Sequence, residues 1–370
     1  MKFVDLDTQF RKLESEIRAA IDAVLEHGQY IMGPEVYALE QELGEFCGAE
    51  HVVSTASGTD ALLMCLMSYG IGPGDAVVAP PFTFVATAEV IQLLGATTVF
   101  VDVSEDTFNL DPDQLEATVK RIRKQGKLNL RGVIPVDLFG LPADYESIGA
   151  IADEHDLFVL ADAAQSFGAV HQGKRVGTFG DVTATSFFPA KPLGCYGDGG
   201  AVFTADADRA EVMRSIRFHG KGTSQYDNVR TGITGRLDTI QAAVLRCKLT
   251  VLKQEIDARQ GVARRYSDAL SEMLETPQVP TDYTSAWAQY TLRSDKRDLI
   301  RKALEEAGIP SAIYYPRPLH QQPAFSDADG AGVSMPVSEQ LSREVFSLPM
   351  HPYLSEADQD RIVDVIRRAI

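Results

Sequence analysis

The sequence predicts an α/β protein with a largely parallel sheet, and two patterns in the chain lead to this prediction. The first is an alternation of short apolar strands with helical segments, which continues from about residue 50 to residue 206. The strands are continuous apolar runs, which is typical of strands covered on both faces. The second is a change near Asp238, where one long helical stretch replaces the alternation and extends to Leu270.

The alternating part contains seven predicted strands, with helices between most of them. These strands are HVVSTA, DAVVAP, TTVFVDV, RGVIPVD, LFVLAD, DVTATSFF and GGAVFTAD. The helix signals include DPDQLEATV, where an aspartate cap precedes a proline at the first helical position. Two amphipathic helices are expected upstream, over residues 11–26 and 35–46.

A smaller α/β unit is predicted after the long helix. AQYTLR and PSAIYYP are expected to be strands, DKRDLIRKALEEAG a helix with a glycine stop, and the chain to close with a helix from about Glu356. Because the chain has 370 residues, we expect two domains. They are a large domain over residues 1–250 and a smaller C-terminal domain over residues 251–370.

Composition narrows the possible partners. The net charge of −17 disfavours binding to nucleic acid or to an anionic membrane surface. The four cysteines have no metal-ligand spacing, so we expect reduced thiols and no metal site. The first residues lack the apolar core of a signal peptide, and no apolar run reaches the ~20 residues that span a bilayer. These observations predict a cytoplasmic protein.

The first predicted strand is followed by Ser57, Gly58 and Thr59, which open a helix. Ligands of open α/β sheets sit beyond the carboxyl ends of the strands, and a helix N-terminus favours phosphate. A plain helix cap is the alternative interpretation. The segment STASGTD has neither a GxGxxG fingerprint nor a Walker lysine, which disfavours an NAD enzyme.

Two further strand ends carry residues that could face a ligand. Asp162 ends a buried strand, where a carboxylate is costly without a partner. That partner could be a metal, a helix N-terminus or a cationic ring nitrogen. Phe84 follows the second strand and could stack on a ring, although core packing is the common role of a lone aromatic residue.

Lys191 lies in the segment SFFPAKPLGCYGDGG, between prolines and glycines that make a stiff, tightly turned loop. A lysine held in a dry pocket can lose its proton and attack a carbonyl. One ligand would satisfy all of these positions, because pyridoxal phosphate (PLP) has a phosphate, a ring nitrogen, a flat ring and an aldehyde. The phosphate residues would be Ser57, Gly58, Thr59 and Ser186.

The chain resembles the DegT/DnrJ/EryC1/StrS family of sugar aminotransferases nearly end to end. The motifs that carry the resemblance are SGTDALL, PFTFVATAEVI, FVDV, ADAAQSFGA, SFFPAKPLGCYGDGGA, GRLDTIQAAVL and AGIPSAIYYPRPLHQQPAF. The resemblance implies the aspartate-aminotransferase fold (fold type I) and a homodimer in which both chains build each active site.

The resemblance also implies a role for each site residue. Lys191 would bond to the cofactor aldehyde and later move protons, Asp162 would pair with the pyridinium nitrogen, Gln165 would contact the ring hydroxyl and Phe84 would stack on the ring. Many relatives have an asparagine that reaches the partner's cofactor phosphate, at the position of Thr234 in GITGRLD. Thr234 and the nearby Asn228 are the two candidates for this contact here.

Within the family, the chain looks most like 3-aminotransferases that act on UDP-2-acetamido-2-deoxy-3-oxo-glucuronate, with L-glutamate as amino donor and surface polysaccharides such as the lipopolysaccharide O-antigen as destination. Substrate contacts are expected from Arg236, Tyr315 and His320, with a structural loop histidine as the alternative for His320. Two other functions stay open. One is a 4-aminotransferase acting on a UDP- or dTDP-4-keto-hexose. The other is a non-catalytic PLP-binding regulator, which would be expected to lack Lys191 or Asp162.

Overall fold

The protein is described by a computed structural model, which covers residues 1–224, 226–330 and 332–370. Its strands, in chain order, are β1 (His51–Thr55), β2 (Asp75–Ala79), β3 (Thr97–Phe100), β4 (Asn129–Val133), β5 (Phe158–Asp162), β6 (Val170–His171), β7 (Lys174–Arg175), β8 (Val182–Ser186), β9 (Gly200–Thr204), β10 (Tyr283–Thr284), β11 (Tyr290–Arg293) and β12 (Val345–Leu348).

The helices alternate with these strands. They are α1 (Leu6–Lys12), α2 (Glu14–His27), α3 (Pro34–Cys47), α4 (Gly58–Ser68), α5 (Ala86–Leu93), α6 (Pro112–Gln125), α7 (Tyr145–Glu154), α8 (Ala207–Ile216), α9 (Thr239–Leu270), α10 (Arg297–Glu306), α11 (Pro336–Glu344) and α12 (Glu356–Ala369). The single helix expected over residues 11–26 is wrong in extent. Two helices occupy this region, and Leu13 interrupts them with non-helical backbone angles.

Seven strands form the central sheet in the order β1-β9-β8-β5-β4-β2-β3. All run parallel except β9, which is antiparallel to both of its neighbours. Each of the seven strands predicted from apolar runs is present. Consecutive residues of β2 pack on opposite faces of the sheet, since Val77 packs with α4 and α5 whereas Val78 packs with α6 and α7. Helices therefore cover both faces of the sheet, which confirms the predicted α/β class.

The long helix α9 continues without a break for 32 residues and joins two apolar clusters. Its first half packs beside the central sheet, with Leu245 and Leu252 among the contacts. Its second half packs with α10, α12 and the two-stranded sheet of β11 and β12. The proposed domain boundary near residue 250 falls between these halves and stays a prediction.

The strand expected at PSAIYYP is absent, which corrects the sequence analysis. Only Ala312 forms an isolated bridge, to Ser347, and the partner of β11 is instead β12. A proline lies at each end of the segment, and its tyrosines pack against an apolar cluster beside the central sheet.

All four cysteines are free thiols, and Cys47, Cys65 and Cys195 are buried. Within the described ranges, none of the helices combines the length and apolarity that a bilayer span requires.

Candidate active site

A cavity of about 690 Å³ opens beyond the carboxyl ends of β1, β5 and β8. These strands run in the same direction, so residues distant in sequence meet at one edge of the sheet. The cavity is lined by most of the residues singled out from the sequence: Ser57, Gly58, Thr59, Phe84, Asp162, Gln165, Ser186, Lys191 and Tyr315.

One end of the cavity is built to receive an anion. Ser57 caps α4, since its Oγ accepts a hydrogen bond from Asp60 N at 3.0 Å, and the unpaired N–H groups of the first helical turn follow it. Gly58 lies against Ser186, so closely that a Cβ on Gly58 would lie 2.6 Å from Ser186 Cβ. Ser57 is therefore a helix cap, as in the alternative interpretation of the sequence, and the cap orients the helix N-terminus that would bind a phosphate.

Asp162 lies at the end of β5 and is buried. Its Oδ2 accepts a hydrogen bond from Thr87 Oγ1 at 2.7 Å, and its Oδ1 accepts one from Ala164 N at 3.2 Å. Burial raises the pKa of this carboxyl, while the two hydrogen bonds and the charge of Lys191 lower it. A buried carboxylate held by neutral donors favours a cationic partner, such as a protonated ring nitrogen.

Lys191 lies on the loop that joins β8 to β9, and its N–H donates to Phe188 O at 2.8 Å. The loop is closed at its base because Ser186 and Gly200 are paired in the sheet. Burial lowers the pKa of Lys191 to about 8, against the opposing effect of Asp162. A substantial fraction of the amine is therefore neutral in mildly alkaline solution, which is the form that attacks a carbonyl.

Gln165 and Tyr315 form a hydrogen-bonded pair in the cavity wall. Gln165 Nε2 donates to Tyr315 OH at 3.2 Å, and its Oε1 accepts from Phe139 N at 2.6 Å. Burial raises the pKa of Tyr315, so its phenol stays protonated. At the cavity rim Phe84 is 56% exposed, and the neighbouring Phe188 is 52% exposed. Exposed aromatic rings at a cavity rim suit stacking on a flat ligand or contact with another chain.

Three predicted site residues lie on a segment outside the lining of this cavity. Asn228 Nδ2 donates to His219 O at 2.8 Å, and the hydroxyl of Thr234 lies 2.7 Å from His219 Nε2. The guanidinium of Arg236 lies 4.6 Å from the centre of the Phe218 ring. The chain therefore does not bring these three side chains to its own cavity.

His320 also lies away from the cavity. Its side chain is 1% exposed, and its Nε2 lies 3.3 Å from Glu339 Oε1. Of the two interpretations that the sequence left open, this geometry favours a structural histidine over a substrate contact.

Several residues of the site were not predicted. Thr83, Asp198, Gln289 and Tyr314 line the cavity, and Thr87 holds Asp162. Asp198 lies in the glycine-rich segment SFFPAKPLGCYGDGG, so this motif could have indicated it. Thr83, Gln289 and Tyr314 lie on loops and Thr87 lies on α5, so their places in the site depend on how these segments pack in the folded chain.

The residues that are present fit PLP. Gly58 leaves space beside Ser186 and the α4 N-terminus for a phosphate, Asp162 supplies a buried anion, and Lys191 supplies an amine of lowered pKa. The chemistry and the fold together define a PLP-dependent aminotransferase.

Comparison with known proteins identifies the family. A model of the DegT/DnrJ/EryC1/StrS aminotransferase family matches residues 11–367, so the chain belongs to that family. It is 46% identical to the UDP-2-acetamido-2-deoxy-3-oxo-D-glucuronate aminotransferase of Pseudomonas aeruginosa, over 96% of this chain and 97% of the relative. It is 42% identical to the UDP-N-acetyl-3-dehydro-alpha-D-glucosamine 3-aminotransferase of Acidithiobacillus ferrooxidans, over 99% and 97%.

Solved structures agree with the fold. A DegT DnrJ EryC1 StrS aminotransferase from Brucella abortus superposes with a TM-score of 0.98 at 54% identity, covering 100% of this chain and 99% of the other. DesV from S. venezuelae, solved in complex with a ketimine intermediate, superposes with a TM-score of 0.94 at 37% identity, covering 99% and 97%. The predicted family, fold and cofactor are confirmed.

Proposed function

We propose that the chain transfers the amino group of L-glutamate to the C3 keto group of UDP-2-acetamido-2-deoxy-3-oxo-glucuronate. The observation that carries the proposal is the meeting of Lys191, Asp162 and the α4 N-terminus at one cavity. The substrate class rests on the relative from Pseudomonas aeruginosa, which is named for this sugar and matches nearly the whole chain.

The residues singled out from the sequence each have a proposed task in this reaction. When bound, PLP supplies an aldehyde that accepts the amino group and a ring that accepts electrons. Asp162 would keep the proton on the ring nitrogen, and the α4 N-terminus with Ser186 would hold the phosphate. The neutral Lys191 amine would take a proton from the Cα of the amino donor. Gln165, which is paired with Tyr315, would contact the ring hydroxyl, and Phe84 would stack on the ring.

A nucleotide sugar needs cationic partners, since its diphosphate and uronate groups are anionic and this chain is strongly acidic. Arg236 is the proposed partner, with Tyr315 as a second contact. Because Arg236 lies outside its own chain's cavity, we propose a homodimer in which the segment carrying Asn228, Thr234 and Arg236 serves the partner's site.

The surface beside this segment supports the dimer. Tyr30 and Ile31 are each about half exposed, and they pair with the start of α9 through Thr239 N to Tyr30 O and the Ile31–Asp238 bridge. Large exposed apolar side chains grouped beside a functional segment mark an interaction surface.

Mixing two inactive variants tests the shared site. Lys191→Ala and Arg236→Ala would each disable every site of a homodimer. After the subunits are mixed and exchanged, a shared site predicts up to about a quarter of wild-type activity, because half of the dimers are mixed and each has one intact site. No recovery despite proven exchange would contradict the shared site.

The reaction itself is tested with the visible spectrum of the purified protein and PLP. We expect a yellow band that bleaches with L-glutamate and is absent in Lys191→Ala. A panel of nucleotide sugars then separates the substrates: the 3-oxo-glucuronate, the 3-dehydro-glucosamine named for the second relative, and 4-keto hexoses linked to UDP or dTDP. Absence of the band would overturn the PLP site, and a band without turnover on any sugar would favour a regulatory role.

Two further parts of the proposal concern the cell. The proposed location is the cytoplasm, since the four cysteines are free thiols, as is usual for proteins of a reducing compartment. A 3-amino uronate would enter a surface polysaccharide, and the lipopolysaccharide O-antigen is the proposed destination.

A further inference from the structure

A fully buried lysine lies beside the loop that carries Lys191. Lys248, on α9, is 1% exposed. Its Nζ donates a hydrogen bond to Gly194 O at 2.7 Å and lies 4.2 Å from the centre of the Tyr196 ring. A buried ammonium is costly unless it is paired, so these two contacts account for its position.

The loop that Lys248 contacts is tightly packed. A Cβ on Gly194 would lie 2.4 Å from Pro189 O, so the chain folds back on itself there. The next residue, Cys195, donates from its backbone N to Phe187 O at 2.8 Å. The Gly194 carbonyl is directed at α9, and Lys248 provides its donor.

The same helix holds the loop at a second point. Gln241 Oε1 accepts a hydrogen bond from Tyr196 N at 2.9 Å. Gln241 and Lys248 are two helical turns apart and therefore share one face of α9. A Cβ on Gly197 would approach Gln241 Nε2 to 3.1 Å, which shows how closely this face and the loop pack.

We propose that Lys248 is a positioning residue that fixes the loop so that the Lys191 amine meets the reacting carbon. This inference rests on the proposed role of Lys191. Gly194 lies three residues after Lys191, in the same loop, which is closed by the Ser186–Gly200 pair. Lys248 is not among the residues that line the cavity, so it acts through the loop.

The electrostatics of the site agree with this role. Burial lowers the pKa of Lys248 to about 8, while Cys195 and Glu255 act in the opposite direction. Burying an ammonium group costs free energy, which a specific hydrogen-bond partner offsets, and this partner is the Gly194 carbonyl. Replacement of Lys248 would leave that carbonyl without its donor.

The test compares Lys248→Met with Lys253→Met in the PLP-loaded protein. Lys253 is exposed on the same helix and serves as the matched control. A misplacement of ~1 Å near reacting atoms costs on the order of a hundredfold in rate, so we expect kcat of Lys248→Met to fall by about 10- to 100-fold. KM for L-glutamate should stay within about threefold, because the loop positions the amine rather than the donor.

The second readout is the pH titration of the visible band of the bound cofactor, which reports the surroundings of the Lys191 nitrogen without turnover. In Lys248→Met the midpoint should shift, whereas Lys253→Met should titrate like the wild type. Lys248→Arg keeps an N–H donor and a cation, and should recover part of the loss.

If Lys248→Met does not fold, Gln241→Ala loosens the same loop without burying an unpaired group and should shift the titration in the same direction. A lowered melting temperature with wild-type titration and kcat would overturn the inference, since Lys248 would then be purely structural. Failure of the proposed function is distinguishable, because the wild type itself would then show either no band or a band without turnover.

Discussion

Replacement of Gly58 by alanine tests whether the α4 N-terminus and Ser186 form the phosphate site. The new Cβ would lie 2.6 Å from Ser186 Cβ, 3.1 Å from its Oγ and 3.2 Å from its Cα. Because backbone as well as side chain is too close, the helix start or the end of β8 must move. Overpacking of this kind costs about 1–3 kcal/mol of folding free energy.

The same movement displaces the groups that would hold the phosphate. Hydrogen bonds to a charged group contribute about 1.5–3 kcal/mol each, so the loss of one predicts roughly 10- to 150-fold weaker PLP binding. PLP titration of the cofactor-free protein measures the affinity, and urea unfolding measures the stability.

Gly149→Ala is the matched control. Gly149 lies inside α7 with no atom within 4 Å of the position of a Cβ, so alanine should stabilise the protein by about 0.5–1 kcal/mol. PLP affinity should not change. If Gly58→Ala folded normally and bound PLP within twofold of the wild type, the assignment of this site to the phosphate would be refuted.

Three further predictions concern charges. Asp162→Asn should lower kcat by about 10²–10³-fold, because a neutral amide does not hold the proton on the ring nitrogen, and single-turnover kinetics that stay within tenfold of wild type would contradict this. In the folded, cofactor-free protein, the pKa of Lys191 is about 8, below its ordinary value of 10.5. Between these pH values the unfolded chain binds more protons than the folded one, so the free energy of unfolding rises with pH, by at most roughly 3 kcal/mol. Denaturant unfolding of Lys191→Met should show a smaller rise than the wild type, because the pKa of Lys248 is also lowered to about 8 and this residue still contributes. Parallel curves would count against the prediction. In the wild type, Glu40 Oε1 lies 2.6 Å from Nη1 of the buried Arg217. Glu40→Gln leaves this guanidinium without its anion and should lower the free energy of unfolding in urea by about 3–5 kcal/mol, whereas Glu116→Gln, at an exposed ion pair, should lower it far less. Equal losses in the two variants would show that burial of the pair does not explain the effect.

The central sheet could be predicted from the sequence because its strands have a strong local signal. Most of these strands are short runs rich in apolar and β-branched residues, which is the pattern expected of strands covered by helices on both faces. The strands of the smaller C-terminal sheet have a weaker local sequence signal, and their pairing depends on tertiary contacts. Segment PSAIYYP has strand-forming residues, yet β11 pairs with β12. β12 has only four residues and directly follows α11, with no turn residues between the two elements.

The candidate site was predictable where a strand end fixes the position of a residue. Asp162, Ser186 and the residues after β1 meet because their strands are parallel neighbours or near neighbours in one sheet. Thr87 and Gln289 were missed because their positions depend on helix and loop packing. Arg236 was assigned to the substrate by charge alone, and a charge on a loop does not show which chain's cavity it serves.

The pairing of β1 with β9 has a consequence for the order of events during synthesis. β1 ends at Thr55, but its partner begins only at Gly200. At ~5–20 residues per second, the ribosome needs roughly 7–30 s to deliver that partner. During this interval β1 has no neighbour to pair with. The α4 N-terminus and Ser186, which are proposed to hold the phosphate, are then on separate parts of a nascent chain. PLP therefore has no complete site until β9 has emerged, so the nascent chain must remain unaggregated up to that point without stabilisation from its cofactor.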